Sequence, residues 1–144
     1  MGDSGKGYAM SIARDLSVFL TGVSFADISP QAIQHAAMLI SSTVASAAAG
    51  SSIASASIIR DLSKDRGGTP EASIWFDSGA KLPACDAARV NAVMSDAAAS
   101  DDSDLRNIGH AGTPLVSTCL ALAELTGSTG QDVLAAIVLS LIHI

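Results

Sequence analysis

Apolar residues recur at three- and four-residue intervals along most of the chain, which is the spacing that an amphipathic helix requires. The clearest stripe covers 30–49 and follows Ser29-Pro30, where the serine can cap free N–H groups and the proline fits the first turn. Ser128 and Gln131 have the spacing of a capping box ahead of the last stripe. The pattern therefore predicts a series of helices. The other helical stretches are 11–21, 51–65, 83–99, 113–126 and the segment from 131 onward.

One segment departs from the helical pattern. The run Ala72–Phe76 favours a strand, and the turn signal Asp77-Ser78-Gly79 separates it from a short partner at Ala80–Leu82. Two strands this short are marginal alone and need helices beside them. The predicted fold class is therefore mainly all-α, a multi-helix bundle of small-residue helices with one short β-hairpin near 72–82.

Composition narrows the kind of core that these helices can build. The 144 residues correspond to about one ordinary domain by length. Apolar residues make up 49% of the chain and aromatic residues only 3%, so small side chains must supply most of the core. Small side chains let helices approach one another closely. Four of the larger ones in the stretch 51–65 are expected to face inward, namely Ile53, Ile58, Ile59 and Leu62.

The charge and the cysteine positions indicate which kinds of partner the chain can bind and in which redox compartment it resides. The net charge is −6, and lysine and arginine form no cluster, which argues against a nucleic-acid surface because phosphate binding needs concentrated positive charge. Polar residues interrupt each apolar run before the roughly 20 residues that a membrane span needs, so we expect no membrane partner. Cys85 and Cys119 lie far apart without metal-ligand spacing, which fits a reduced, cytoplasmic compartment.

The candidate chemistry lies in an acidic loop between two helices that are predicted to be buried. The loop supplies carboxylates, a hydroxyl and an imidazole that titrates near neutral pH. The helix that follows begins with a Gly-Thr-Pro step, with Thr113 as the predicted cap, and a helix start favours an anion. The candidate site residues are Asp101, Asp102, Ser103, His110, Gly112 and Thr113.

These residue types leave three interpretations open. The loop could bind a carboxylate substrate and move a proton, as a lyase or isomerase must. It could hold a metal ion through oxygen ligands and His110, although it lacks the glycine and the final glutamate of a calcium-binding EF-hand loop. It could also be a solvated loop that only caps a helix. The sequence contains no GxSxG, P-loop, HExxH, CxxC or GxGxxG signature that would decide between them.

Four segments of the chain carry a further pattern. They are Gly67–Ala72 (GGTPEA), Ala87–Ala92 (AARVNA), Asp101–Ser103 with His110, and Leu120–Glu124 (LALAE) with Gly127 and Ala135–Val138. In this order they resemble the GGTPEA, AAxxNG, DDTH…HPS and ALAxAE…G…AAIV motifs of the MmgE/PrpD family. That family includes 2-methylcitrate dehydratases, cis-aconitate decarboxylases and iminodisuccinate epimerases. The resemblance covers roughly 12–139.

The resemblance implies a fold and an activity. Family members have a large all-helical domain and a smaller α/β domain, usually in a homodimer, and 11–139 corresponds to the N-terminal part of the helical domain. We expect 1–10 to be a flexible leader and 140–144 to be a truncated or foreign end. The implied activity is that of a lyase or isomerase that removes a proton next to a carboxylate of a small di- or tricarboxylic acid. The resemblance implies no metal or organic cofactor, and the 144-residue chain alone is expected to be inactive.

The resemblance also assigns roles to the loop. His110 matches the histidine that opens HPS and would exchange a proton, and Ser103 keeps the hydroxyl of the family's threonine and would bind a substrate oxygen. Asp101 or Asp102 would position or accept a proton. The helix start at Gly112 and Thr113 would complete the substrate site.

The family pattern is broken at three places within this loop. Ala99 stands where the family has an aspartate, Asp104 stands where it has a histidine, and the family's HPS has become His110-Ala111-Gly112. These departures favour an alternative, in which the chain is a non-catalytic helical module or a degenerate paralogue without turnover.

Overall fold

A computed structural model describes residues 11–103 and 109–141. The predicted leader 1–10 and the last residues of the predicted foreign end, 142–144, lie outside the described residues. The described chain is mainly helical with one short hairpin, so the predicted fold class is confirmed. Its helices are α1 (Ile12–Gly22), α2 (Pro30–Gly50), α3 (Ala54–Arg66), α4 (Ala84–Ala97), α5 (Gly112–Thr126) and α6 (Gly130–Leu141). A 3-10 turn covers Phe25–Asp27, and the strands are β1 (Ala72–Ser73) and β2 (Lys81–Leu82).

The ends of the helices show which local signals were predicted correctly. Ser29 caps α2 by accepting the Ala32 N–H at 3.2 Å, and Gly127 ends α5 in the left-handed region with a φ of 69°. The predicted capping box of α6 is wrong by one residue. Thr129 and Asp132 form it instead, since the Thr129 N–H donates to Asp132 Oδ2 at 2.8 Å and the Asp132 N–H donates to Thr129 Oγ1 at 3.3 Å.

Helix α4 is the centre of the fold and contacts α2, α3 and α5 as well as both strands. Val90 and Met94 on this helix have no exposed surface. The last residue of α2, Gly50, lies directly against α4. A Cβ added there would collide with the carbonyl oxygen of Met94 and lie 3.3 Å from the Ala97 Cβ. Glycine at this position therefore lets the backbones of the two helices come into direct contact.

A second apolar cluster joins α2, α5 and α6 through Ala36, Val116, Val133 and Ile137. Among the described residues, α2 is the one helix long and apolar enough to cross a membrane when only length and composition are counted. The apolar pattern predicts that no stretch is long enough to span a membrane, whereas α2 is long enough by this criterion. This criterion does not show a membrane span, because the core helix of a soluble protein also meets it. Helix α2 contacts three other helices of this fold, and 22% of its apolar stretch is buried.

The peripheral helices bury less than the apolar pattern predicts. The prediction that Ile58 and Leu62 face inward is wrong, because 68% and 51% of their surfaces are exposed. Helix α3 packs through Ala56 and Ser63 instead, which are fully buried and lie on its opposite side. Helix α1 has no buried residue. Small side chains thus make the closest contacts in this fold.

The hairpin is shorter than the predicted strands. Ala72 pairs with Leu82 and Ser73 pairs with Lys81 in an antiparallel ladder. Beyond this ladder Phe76 and Ser78 have positive φ angles of 59° and 49°, which strand residues do not adopt. The chain therefore leaves the extended conformation soon after β1.

Candidate active site

Several polar residues of the family-like motifs hold the hairpin onto the helices. Asn91 of α4 is almost fully buried. Its Nδ2 donates to the Ser73 carbonyl at 3.0 Å, and its Oδ1 accepts the Trp75 N–H at 2.9 Å. The amide thus takes the place of a partner strand for two partly buried backbone groups that β2 does not pair.

Two glutamates complete this arrangement. Glu124 of α5 accepts hydrogen bonds from the Ser73 N–H at 3.1 Å, the Ser73 hydroxyl at 2.8 Å and Lys81 Nζ at 2.9 Å. Burial raises the pKa of Glu124, but the hydrogen bonds from Lys81 and Ser73 together lower it below its ordinary value. Glu71 accepts the Ala84 N–H at 2.9 Å and so caps α4. We call Glu71, Asn91 and Glu124 the hairpin clamp.

The loop after α4 brings its predicted site residues together beside the start of α5. We call Asp101, Asp102 and His110 the acidic corner. The Asp101 side chain is only 2% exposed. Its Oδ2 accepts the Thr113 hydroxyl at 3.0 Å and lies 3.1 Å from Nδ1 of His110. A buried carboxylate is therefore bound by a hydroxyl on one side and an imidazole on the other.

The contacts of His110 fix which ring nitrogen carries the proton. Nδ1 lies 3.1 Å from the Asp101 carboxylate and 2.9 Å from the Asp102 carbonyl oxygen. Both groups can only accept, so Nδ1 must donate, and in the neutral ring Nε2 then holds the lone pair. Half of the side chain is exposed. A ring held in this way can take a proton from a group outside the fold.

The carboxylate of Asp102 caps the N-terminus of α5. The Gly112 N–H donates to both of its oxygens, at 2.9 and 3.1 Å. A Cβ added to Gly112 would collide with Asp102 Oδ1 and lie 2.7 Å from the Leu39 Cδ1. The prediction that Thr113 caps α5 is therefore wrong, because the helix begins one residue earlier and an aspartate from the loop does the capping.

The remaining predicted residues divide between the surface and the interior. Ser103 is exposed, whereas Thr113 is 7% exposed and directs its hydroxyl at Asp101. Sequence reasoning missed Ser95 of α4, which has no exposed surface and lies 3.1 Å from Thr113 Oγ1. No sequence signal marked it, because serine is common throughout these helices. The roles of the six predicted site residues stay predictions.

A cavity adjoins the acidic corner. It has a volume of about 470 Å³, lies between the first half of α2 and the end of α6, and is lined at one edge by Asp102. Apolar side chains supply most of its wall, and His35 adds a second polar group. Within residues 11–103 and 109–141, no three His, Cys, Asp or Glu side chains come close enough to hold a metal ion.

Comparison with known protein families identifies the family to which this chain is related. The family model of the MmgE/PrpD N-terminal domain matches residues 14–141 of the chain. The chain belongs to the MmgE/PrpD family. The predicted resemblance is thereby confirmed for the N-terminal part of the family's helical domain. Neither the curated proteins nor the solved structures give a match.

Family membership places the motifs on the structure. In this MmgE/PrpD domain the GGTPEA, AAxxNG and ALAxAE segments supply Glu71, Asn91 and Glu124 to the hairpin clamp. The DDTH…HPS segment supplies the acidic corner. Ala99, where the family has an aspartate, adopts a left-handed conformation with a φ of 48°. Aspartate tolerates that conformation better than alanine does, so the change affects the backbone as well as the chemistry.

Proposed function

We propose that this domain is the helical part of a lyase or isomerase that acts on a small di- or tricarboxylic acid. In this proposal His110 removes a proton from the carbon next to a substrate carboxylate, and Asp101 holds the imidazole in place. Ser103 binds a substrate oxygen. Membership of a lyase-like family supports the general class of reaction, and the acidic corner supports the assignment of residues.

The single observation that carries the proposal is the contact between a buried carboxylate and a half-exposed imidazole. Asp101 lies 3.1 Å from Nδ1 of His110. A carboxylate in this position fixes the ring orientation and stabilises the imidazolium that forms when Nε2 takes a proton. The substrate would approach from the solvent side, where His110 is exposed and Ser103 is also exposed.

The neighbouring cavity gives the proposal a place for the rest of the substrate. Asp102 lines both the acidic corner and the cavity, so a small molecule can contact the two together. The wall is mainly apolar. It therefore suits a hydrocarbon segment rather than a second carboxylate, which we place toward His35 or solvent.

One observation favours the alternative of a non-catalytic helical module. The Gly112 N–H at the start of α5 already binds the carboxylate of Asp102. This donor is not offered to a substrate anion while Asp102 stays in place. In a module without turnover, the loop would serve only to cap α5 and to join it to α4.

Calorimetric titration of citrate, 2-methylcitrate and cis-aconitate into the purified protein separates the two proposals. The enzyme proposal expects saturable binding of at least one acid. His110→Ala should weaken it about tenfold, the loss that one charge-assisted hydrogen bond produces. Gln34→Ala, which changes an exposed side chain of α2 that does not line the cavity, is the control and should leave the binding unchanged. No binding of any of the three acids would contradict the enzyme proposal and favour the helical module.

A further inference from the structure

Two buried hydroxyls extend the contact between Asp101 and His110 into the interior. Thr113 of α5 donates from Oγ1 to Asp101 Oδ2 at 3.0 Å, and Ser95 of α4 lies 3.1 Å from the same Thr113 oxygen. Ser95 has no exposed surface and Thr113 is 7% exposed. Two hydrogen bonds thus join Ser95 and Thr113 to Asp101, and the 3.1 Å contact between Asp101 Oδ2 and Nδ1 continues this chain of polar contacts to the half-exposed His110.

The direction of every hydrogen bond in this chain follows from the acceptor at its centre. An ionised carboxylate can only accept, so Thr113 must use its one proton toward Asp101. The Thr113 oxygen is then left as an acceptor, and Ser95 must donate to it. On the other side, His110 donates from Nδ1 to the Asp102 carbonyl oxygen at 2.9 Å, and the same nitrogen lies 3.1 Å from Asp101 Oδ2. Both hydroxyl protons therefore point toward Asp101, and neither can reverse without breaking the chain.

We propose that Ser95 and Thr113 are positioning residues that hold Asp101 so that His110 keeps its proton on Nδ1 and presents Nε2 to the substrate. The inference rests on the proposed function in that His110 is the group that moves the proton. It also replaces the predicted role of Thr113, since a hydroxyl donated to Asp101 is not free to donate to a substrate. Ser95 and Thr113 act through Asp101 and touch no substrate.

A neighbouring serine separates this role from ordinary packing. Ser117 lies one turn after Thr113 on α5 and is also fully buried. Its hydroxyl has no hydrogen-bond partner within the described part of the chain. Removing the Ser117 hydroxyl therefore changes a buried position on the same helix without touching the chain to His110. Ser117→Ala is the matched control.

Long-range ¹H–¹⁵N spectra of the histidine rings test the inference without a substrate. They are recorded on the purified protein at about pH 8.5, where histidine is ordinarily neutral, and His35→Gln assists assignment. An imidazole free in water favours the proton on Nε2. We expect His110 to show the opposite tautomer, with the proton on Nδ1. Thr113→Val should lower the ratio of the Nδ1–H to the Nε2–H form by roughly fivefold, which is the net effect of one ordinary hydrogen bond.

The variants have different expected results. Thr113→Ser keeps the hydroxyl and should restore the ratio to within about twofold of the original protein, because the same hydrogen bond re-forms. Ser95→Ala should lower the ratio by less than Thr113→Val, and Ser117→Ala should leave it unchanged. If Thr113→Val does not fold, Ser95→Ala compared with Ser117→Ala decides the question alone.

An unchanged tautomer ratio in both Thr113→Val and Ser95→Ala would overturn the inference, as would an equal change in Ser117→Ala. These outcomes differ from a failure of the proposed function. The tautomer is measured without any acid present, whereas the proposed function fails in the calorimetric titration. A normal tautomer response with no acid binding would therefore keep the positioning of His110 and reject only its use in this reaction.

Discussion

The hairpin clamp and the acidic corner are built from the same kinds of polar side chain but use them for different purposes. In the clamp, the buried amide of Asn91 binds two backbone groups and Glu124 binds the chain on both sides of the hairpin. In the corner, Asp101 is equally buried, but the imidazole that it binds is half exposed. The clamp directs its hydrogen bonds into the fold, and the corner leaves one ring nitrogen facing outward.

The contrast between the clamp and the corner shows that residues of a family motif can have either a structural or a chemical role. Glu71, Asn91 and Glu124 match motif positions as well as Asp101 and His110 do, yet the clamp residues bind the backbone of their own chain. A motif residue whose donors and acceptors are used within the fold explains stability. A motif residue that keeps an unused donor or acceptor at the surface is a candidate for binding or catalysis. The two groups should therefore respond differently to substitution.

The largest effect is expected in the clamp. Asn91→Ala leaves the Ser73 carbonyl and the Trp75 N–H without their buried partner. Each such group costs about 1–3 kcal/mol, so the free energy of unfolding should fall by about 2–6 kcal/mol. Urea unfolding followed by circular dichroism measures it. The control is Gln34→Ala, an exposed amide on α2, and an equal loss in both variants would remove Asn91 from the clamp.

A smaller effect is expected where the corner supports α5. Asp102→Ala removes the carboxylate that accepts the Gly112 N–H, and loss of a helix cap lowers the free energy of unfolding by about 1 kcal/mol. The carbonyl oxygen that His110 contacts belongs to the backbone and remains. Ser103→Ala, next to it and exposed, is the control and should have almost no effect. Equal stability of the two variants would show that Asp102 is not the cap.

The clamp should also show a pH dependence with a defined sign. Hydrogen bonds lower the pKa of Glu124 below its ordinary value of 4.5, so its charge stabilises the fold above that pH. The contribution should be lost as the pH falls below about 4.5 and through the lowered pKa. In Glu124→Gln this loss should be absent, so the urea midpoints of the two proteins should converge at low pH. Parallel curves over this range would contradict the assignment.

Much of the fold was predictable because its signals are local. Ser29-Pro30 and Gly127 set helix ends through their own backbone and side chains. The hairpin was located near 72–82, where it occurs. What the pattern missed depends on packing between elements. Ile58 and Leu62 satisfy the apolar stripe of α3, but Ala56 and Ser63 lie on the side that meets the core.

The sequence predicted which residues form the acidic corner, but not which hydrogen bonds they make. The short loop before α5 brings His110 to both Asp101 and Asp102, as the clustering of these residues indicated. The sequence did not indicate that Asp102 would take the helix N-terminus or that Ser95 would contact Thr113. Both contacts join residues that lie on different elements of the fold. Thr113 is itself a suitable capping residue at the start of α5, so nothing in the sequence indicated that a loop residue would cap the helix.

The free energy of unfolding of His110→Ala tests most directly the claim that the imidazole of the acidic corner does not serve the stability of the fold. The ring is half exposed, so water can replace its hydrogen bond to the Asp102 carbonyl and its contact with Asp101. The account predicts a loss below about 1 kcal/mol in urea, well short of the Asn91→Ala loss. A loss as large as that of Asn91→Ala would contradict it, because His110 would then hold the fold together as the clamp does.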